Sequence, residues 1–158
     1  MGFKPRIKEE LYELTIEEIR NILKFVNPKK KIGFYLALIC SGARPGELFQ
    51  VRKKDIYTTQ KRVKIRIEAE NVKTRSGSSI WLTKKDGRYL MTRLRELEDN
   101  DLVWATNEDP SYAEKNESTQ FSHICDQAGY SQKYKSNNFR KITPYSFRSY
   151  FFGKLTHN

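Results

Sequence analysis

The chain has 158 residues, of which 37% are hydrophobic and 13% aromatic, enough for one ordinary core without disulfides or a structural metal. This composition argues against a disordered chain. Thirty Lys and Arg against nineteen Asp and Glu give a net charge of +11, which favours a polyanionic partner, above all nucleic acid. The alternative is a charge that serves solubility alone.

Nothing in the sequence indicates a membrane partner or a secreted protein. There is no basic amphipathic helix or lipidation motif, and the longest apolar run, residues 34–40, is too short to span a bilayer. No signal peptide is recognisable, so we expect a cytoplasmic, nucleoid-associated protein. Cys40 and Cys125 lack CxxC spacing and lie in helical contexts, which predicts buried free thiols in a reducing compartment.

Three helices are predicted in the first third of the chain. Thr15 is a suitable N-cap, and apolar residues recur at helical spacing until Asn27 and Pro28 end the pattern. A second helix is predicted from about Lys29 to a Gly42 stop. Residues 44–51 are predicted to form a short third helix.

The middle of the chain predicts a small antiparallel sheet. Residues 63–67 alternate apolar and charged side chains, as in a strand with one wet face, and residues 79–83 are the predicted partner. A third strand is expected near Ile56. The connection over residues 71–78 carries Lys73 and Arg75, which predicts a flexible basic hairpin tip.

The last third is predicted to be helical with long connections. We expect a helix over residues 84–97, a loop over 107–116, a helix over 117–128 stopped by Gly129, and a final helix that begins at Pro144. No internal repeat or domain boundary is visible. The sequence therefore predicts one α+β domain over residues 1–158, mainly helical with a small antiparallel β-sheet.

No motif for metal or nucleotide chemistry is present. The chain has no glycine-rich phosphate loop, and its two histidines, His123 and His157, have no metal-ligand spacing, so we expect neither a metal nor a cofactor. The distinctive segment is residues 41–48, which read Ser-Gly-Ala-Arg-Pro-Gly-Glu-Leu. Arg44 follows one predicted helix and precedes another, which places a guanidinium at a helix start.

This segment resembles the first arginine box of the tyrosine recombinase, or phage integrase, family. Three further features occur in the family's order: residues 14–18 (Leu-Thr-Ile-Glu-Glu) resemble the start of its catalytic domain, the hairpin offers a lysine, and residues 143–148 (Thr-Pro-Tyr-Ser-Phe-Arg) resemble its second arginine box. The resemblance covers nearly the whole chain. It implies the fold of a recombinase catalytic domain and a double-stranded DNA partner.

The resemblance implies that Arg44 and Arg148 hold the non-bridging oxygens of the scissile phosphate. Phosphoryl transfer concentrates charge on these oxygens, and a planar guanidinium can donate two hydrogen bonds to them. Glu47, one helical turn after Arg44, is expected to support that arginine by pairing with it.

Two further catalytic positions follow from the resemblance. Lys73 would be the general acid that protonates the leaving 5′ oxygen, the alternative being a simple contact with the DNA backbone. Tyr145 stands where the family usually has a histidine or lysine. A phenol is a poor general base at neutral pH, so Tyr145 is expected to hydrogen-bond the phosphate or to pack at the helix start.

The family's nucleophilic tyrosine normally lies well beyond the second arginine. Only ten residues follow Arg148, and Tyr150, two positions on in a helix, points to another face. We therefore expect no nucleophile in this chain, which would bind DNA without cleaving it.

The expected function is that of a site-specific recombinase or integrase from a phage or mobile element, which cleaves and rejoins DNA through a 3′-phosphotyrosine and self-associates on DNA when complete. The alternative is a basic DNA-binding module without chemistry; RNA binding has no diagnostic motif here. Further DNA-contact candidates are Arg75, Lys84, Lys85, Arg140 and Lys141.

Overall fold

The structure, a computed structural model, describes residues 10–28, 30–68, 78–106 and 109–157. The predicted α+β class is confirmed, since the described chain is mainly helical with a three-stranded antiparallel sheet. A 3-10 turn, Lys53–Asp55, precedes the sheet. The other elements, in chain order, are α1 (Ile16–Leu23), α2 (Ile32–Ser41), α3 (Pro45–Leu48), β1 (Ile56–Thr58), β2 (Arg62–Ile67), β3 (Ser78–Thr83), α4 (Lys84–Leu94), α5 (Pro110–Ala128) and α6 (Pro144–His157).

Helix α1 begins where its capping residues predict. The Thr15 hydroxyl accepts a hydrogen bond from the Glu18 backbone N–H at 3.2 Å, and the Glu18 carboxylate accepts one from the Thr15 N–H at 2.9 Å. This reciprocal capping box satisfies two backbone donors that the helix itself leaves unpaired. The helix buries Ile19 and Ile22 against the core.

The sheet has the order β1-β2-β3, with both neighbouring pairs antiparallel. Val63 of β2 pairs with Leu82 of β3, and Ile65 pairs with Ile80; all four side chains are buried. Because side chains alternate along a strand, the residues between them face outward. The β2–β3 connection, with the predicted basic tip, lies outside the described residues.

Helix α2 lies at the centre of the molecule and holds α6 in place through aromatic contacts. The Tyr35 ring lies 5.5 Å from Phe121 of α5 and 5.3 Å from Phe147 of α6, and these two rings are 5.6 Å apart. All three rings are fully buried. Since Phe147 precedes Arg148, this cluster fixes the position from which the arginine side chain projects.

The loop predicted over residues 107–116 is wrong from residue 110 onward. Asp109 caps α5 by accepting a hydrogen bond from the Ser111 N–H at 2.9 Å, and Pro110 occupies its first turn. Proline is favoured there because its missing N–H has no partner in that turn. The polar composition of residues 111–120 conceals this helix start.

Several smaller expectations also differ from the structure. Helix α3 ends at Leu48 and α4 at Leu94, three residues earlier than predicted in each case. Cys125 is buried as expected, but Cys40 is exposed, because α2 turns that position away from the core. In the described part of the chain, no helix is long and apolar enough to cross a lipid bilayer.

Candidate functional site

The turn between α2 and α3 carries the first candidate arginine. Gly42 ends α2 in the left-handed conformation, with φ 65° and ψ 17°, and its N–H bonds the Leu38 carbonyl at 3.0 Å. Arg44 follows in an extended conformation as the N-cap of α3, and Pro45 occupies the first helical position. The helix starts at Pro45 because proline's fixed φ suits that position.

The Arg44 side chain is half-buried at this helix start. Within the described ranges, it forms no hydrogen bond or ion pair. Its guanidinium is therefore available to a ligand. Glu47 is half-buried on the same short helix, and its backbone N–H bonds the Arg44 carbonyl at 3.0 Å. The expected ion pair between the Glu47 carboxylate and Arg44 is absent from the described part of the chain.

Arg148 of α6 reaches the same turn. Its Nε donates a hydrogen bond to the Gly42 carbonyl at 2.8 Å, and its guanidinium carbon lies 5.2 Å from the centroid of the Phe152 ring. In the described part of the chain this is the only hydrogen bond of the side chain, which leaves both terminal nitrogens to donate elsewhere. The structure thus brings Arg148 against the turn that carries Arg44.

Only glycine fits at position 42. A Cβ atom there would lie 2.4 Å from Cδ1 of Phe151 and 3.0 Å from Cε2 of Phe152. The positive φ is also unfavourable for residues with a side chain. The sequence indicates Gly42 only as the end of a helix. Its close packing against Phe151 and Phe152 of α6 cannot be inferred from residue spacing.

Tyr145 and Tyr150 line a cavity of about 540 Å³ between α6, residues 11–14 and residues 134–143, and Arg148 does not line it. Tyr145 is 49% exposed. Tyr150 is half-buried, and Lys154 Nζ lies 5.1 Å from the centroid of its ring. The catalytic role expected for Tyr145 stays a prediction.

Of the further DNA-contact candidates, two already have partners within the protein. The Arg140 guanidinium binds both oxygens of Asp126 at 2.9 Å, and this contact, with help from Ser131, lowers the pKa of the Asp126 carboxyl to about 2. Lys141 lies over the rings of Tyr12 and Tyr134 at 5.9 and 5.8 Å.

The other candidates differ in their surroundings. Lys84 and Lys85 are exposed in the first turn of α4. Lys73 and Arg75 lie outside the described residues. His123 is exposed on α5. Among the described residues, no cluster of three His, Cys, Asp or Glu side chains could hold a metal ion.

Comparison with known structures gives the fold. The chain is similar to XerH site-specific recombinase bound to difH substrate (TM-score 0.68, 18% identity, 99% of this chain and 47% of that one). It is also similar to the Tn1549 transposon integrase in complex with a circular intermediate DNA, with a TM-score of 0.65 and 15% identity over 96% of this chain and 55% of that one. A third similar structure is XerA recombinase, with a TM-score of 0.62 and 19% identity over 92% of this chain and 51% of that one. The chain thus spans about half the length of these proteins.

Sequence comparison gives the family. No curated protein sequence matches the chain significantly. The model of the phage integrase family matches residues 12–158, which include both arginine boxes and all the described helices and strands. The chain therefore belongs to the phage integrase family of tyrosine recombinases.

Proposed function

We propose that the chain is the catalytic-type domain of a site-specific DNA recombinase or integrase, and that it holds the scissile phosphate of double-stranded DNA between Arg44 and Arg148. The observation that carries this proposal is the Arg148 hydrogen bond to Gly42, which places one arginine against the turn that presents the other. The DNA-bound structures of XerH and the Tn1549 integrase support a DNA partner for this fold.

The two arginines differ in how they would meet a phosphate. Arg148 is held through Nε, so its two terminal nitrogens can donate together to phosphate oxygens. Arg44 precedes α3, and its side chain forms no hydrogen bond or ion pair in the described part of the chain, so its guanidinium can donate to the phosphate. The two guanidinium groups would stabilise the negative charge that develops on the phosphate oxygens, and they would need little reorganisation to do so.

The remaining steps of the proposal follow the chemistry of the family. A tyrosine oxygen attacks phosphorus, a 3′-phosphotyrosine forms, and the 5′ oxygen leaves with a proton from Lys73. Attack by a 5′ hydroxyl then reverses the step, so no cofactor or external energy is needed. Tyr145 would hydrogen-bond the phosphate, and Glu47 would support Arg44.

Neither Tyr145 nor Tyr150 is proposed as the nucleophile. We expect residues 1–158 to act as one domain that binds duplex DNA. Lys84 and Lys85 are proposed as additional backbone contacts, as is Arg75. Self-association on DNA, which sedimentation with a duplex would measure, belongs to the same proposal.

The proposed pair of Arg44 and Arg148 is here called the phosphate clamp. The salt dependence of duplex binding tests it. Each phosphate contact contributes about 0.9 to the slope of log K against log salt. Arg44→Ala and Arg148→Ala should each lower the slope by about that amount, whereas Arg95→Ala, an exposed arginine at the end of α4, should not. Unchanged slopes in both site variants would overturn the clamp.

Cleavage distinguishes an enzyme from a basic DNA-binding module. In a polypeptide that joins these residues to a nucleophilic tyrosine, Arg44→Ala and Arg148→Ala should abolish covalent protein–DNA complexes while leaving most binding intact. If both variants instead show only equal, modest losses of affinity and unchanged covalent yield, the chain is a binding module.

A further inference from the structure

The outward face of the sheet carries an ordered row of two aromatic rings and a lysine. Tyr57 of β1 pairs with Lys64 of β2, which in turn pairs with Trp81 of β3. Tyr57 is 46% exposed and Trp81 is 47% exposed. These large rings stay at the surface because the opposite face of the sheet is filled by the aliphatic core.

Lys64 lies between the two rings. Its Nζ is 5.9 Å from the centroid of the Tyr57 ring and 5.5 Å from that of Trp81, within the range of cation–π attraction. The strand pairing sets the spacing of the rings, and the lysine adds a positive charge between them. Part of each ring remains accessible to solvent.

The central strand extends this row with two more cations. Arg62 and Arg66 stand two positions before and after Lys64, so they share its face, and both are exposed. Strands β1 and β3 contribute no charged side chain. Among the described residues, the acidic group that pairs with this row is Glu68, 3.6 Å from Arg66, and the three cations outnumber it.

This combination fits a single nucleic-acid strand better than a duplex or a protein. Phosphate groups of a duplex would need the cations but would leave the rings unused. Unpaired bases stack on exposed aromatic rings while the backbone follows a basic surface, and this mode tolerates any sequence. A protein partner that packed on the two rings would also have to remove water from the three cations. That is costly unless the partner supplies acidic side chains to pair with them.

We propose that Tyr57, Arg62, Lys64, Arg66 and Trp81 form a second nucleic-acid surface, here called the sheet platform, which binds single strands. Bases would stack on Tyr57 and Trp81, and phosphates would lie against the three cations. The sheet platform shares no residue with the Arg44 and Arg148 site, and it stands independently of the proposed recombinase activity.

Tryptophan fluorescence gives a direct test. The chain has two tryptophans, Trp81 and the buried Trp104, so Trp104→Phe leaves an emitter only on the sheet platform. Single strands of about 15 nucleotides, oligothymidylate and oligouridylate, should quench this emission with saturation. A duplex of equal length and polyglutamate should not. Trp81→Phe, which retains Trp104, should show little quenching.

Affinity measured with labelled oligonucleotides tests individual residues. Trp81→Ala and Tyr57→Ala should each weaken single-strand binding about tenfold. Lys64→Gln should lower the salt slope. The matched controls are Tyr89→Ala, a 46% exposed tyrosine on α4, and Lys115→Gln, an exposed lysine on α5; both should bind as the parent does.

The outcomes separate this inference from the proposed function. Saturable quenching by oligothymidylate or oligouridylate supports the sheet platform, and a preference for one of them identifies the kind of strand that it favours. The sheet platform would be overturned if neither oligonucleotide quenched the emission with saturation, or if the duplex or polyglutamate quenched it equally. Equal losses of single-strand affinity in Tyr89→Ala and Trp81→Ala would also overturn it. Arg44→Ala and Arg148→Ala should leave single-strand quenching intact, so failure of the phosphate clamp does not imply failure here.

Discussion

Arg148 donates a hydrogen bond from Nε to the carbonyl of Gly42 at 2.8 Å, joining positions 106 residues apart. The contact is possible because Gly42 has no side chain and adopts a positive φ, so that Phe151 and Phe152 can pack directly against the turn. One backbone carbonyl thereby sets the orientation of a guanidinium. The same turn leads, two residues later, into Arg44.

Gly42→Ala is expected to destabilise the fold by about 3 kcal/mol, because left-handed backbone strain of about 1–2 kcal/mol is added to the cost of overpacking. Gly129→Ala is the matched control: its φ is also positive, at 88°, but a Cβ there would meet no atom within 4 Å. It should lose about 1 kcal/mol. Urea unfolding measures both, and equal losses would show that the contact with Phe151 is unimportant.

Glu117→Gln should destabilise the protein by about 3 kcal/mol. The buried Glu117 carboxylate lies 2.8 Å from Lys31 Nζ and accepts a hydrogen bond from the Tyr35 hydroxyl, whose pKa is raised well above its usual value by burial. Glu117 is buried and Lys31 is mostly buried, so removing the carboxylate charge leaves the ammonium group poorly compensated.

Glu96→Gln provides the comparison for Glu117. Its carboxylate is 61% exposed and lies 3.6 Å from Arg93, so loss of this surface pair should cost less than about 1 kcal/mol in the same unfolding measurement. If the two variants prove equally stable, the buried network contributes nothing that the surface pair does not.

Asp126→Asn should lower the thermal midpoint at pH 7, and the difference from the parent should shrink as the pH falls from about 4 towards 2. The folded-state pKa of Asp126 is lowered from 3.8 to about 2 by hydrogen bonds from Arg140 and Ser131, so the stabilisation exists above the unfolded pKa and is lost on protonation. Asp99→Asn, at another exposed carboxylate that forms no ion pair in the described part of the chain, is the control and should leave the thermal midpoint at pH 7 unchanged. A difference in thermal midpoint between Asp126→Asn and the parent that stays constant down to pH 2 would contradict the lowered pKa of Asp126.

One thiol, Cys40, should react with an aromatic disulfide reagent in the folded protein at pH 8, and two after denaturation. Cys40 is exposed, whereas Cys125 is fully buried and burial raises its pKa to about 12. Cys40→Ser should therefore abolish labelling of the folded chain, and Cys125→Ser should leave it unchanged. Fast labelling of Cys40→Ser would mean that Cys125 is accessible.

Local chemistry explains why much of the fold follows from sequence. The Thr15 cap, the alternation over residues 63–67 and Pro144 each act within a few residues, so the elements they predict are present. The sequence predicts only residues 117–128 of helix α5, which begins at Pro110. The buried positions of this helix, 113, 117, 121 and 125, include a glutamate. A buried carboxylate interrupts the apolar period, and only Lys31 and Tyr35, distant in sequence, explain it.

Residue types and short spacings are sufficient to indicate the family, the order of the segments that resemble its two arginine boxes, and the basic character of the surface. Three features follow instead from the packing of the helices: Arg148 contacts Gly42, Arg140 pairs with Asp126, and Cys40 faces outward. Each of these depends on which faces of the packed helices meet. Helical periodicity gives the faces of one helix but not the residues opposite them.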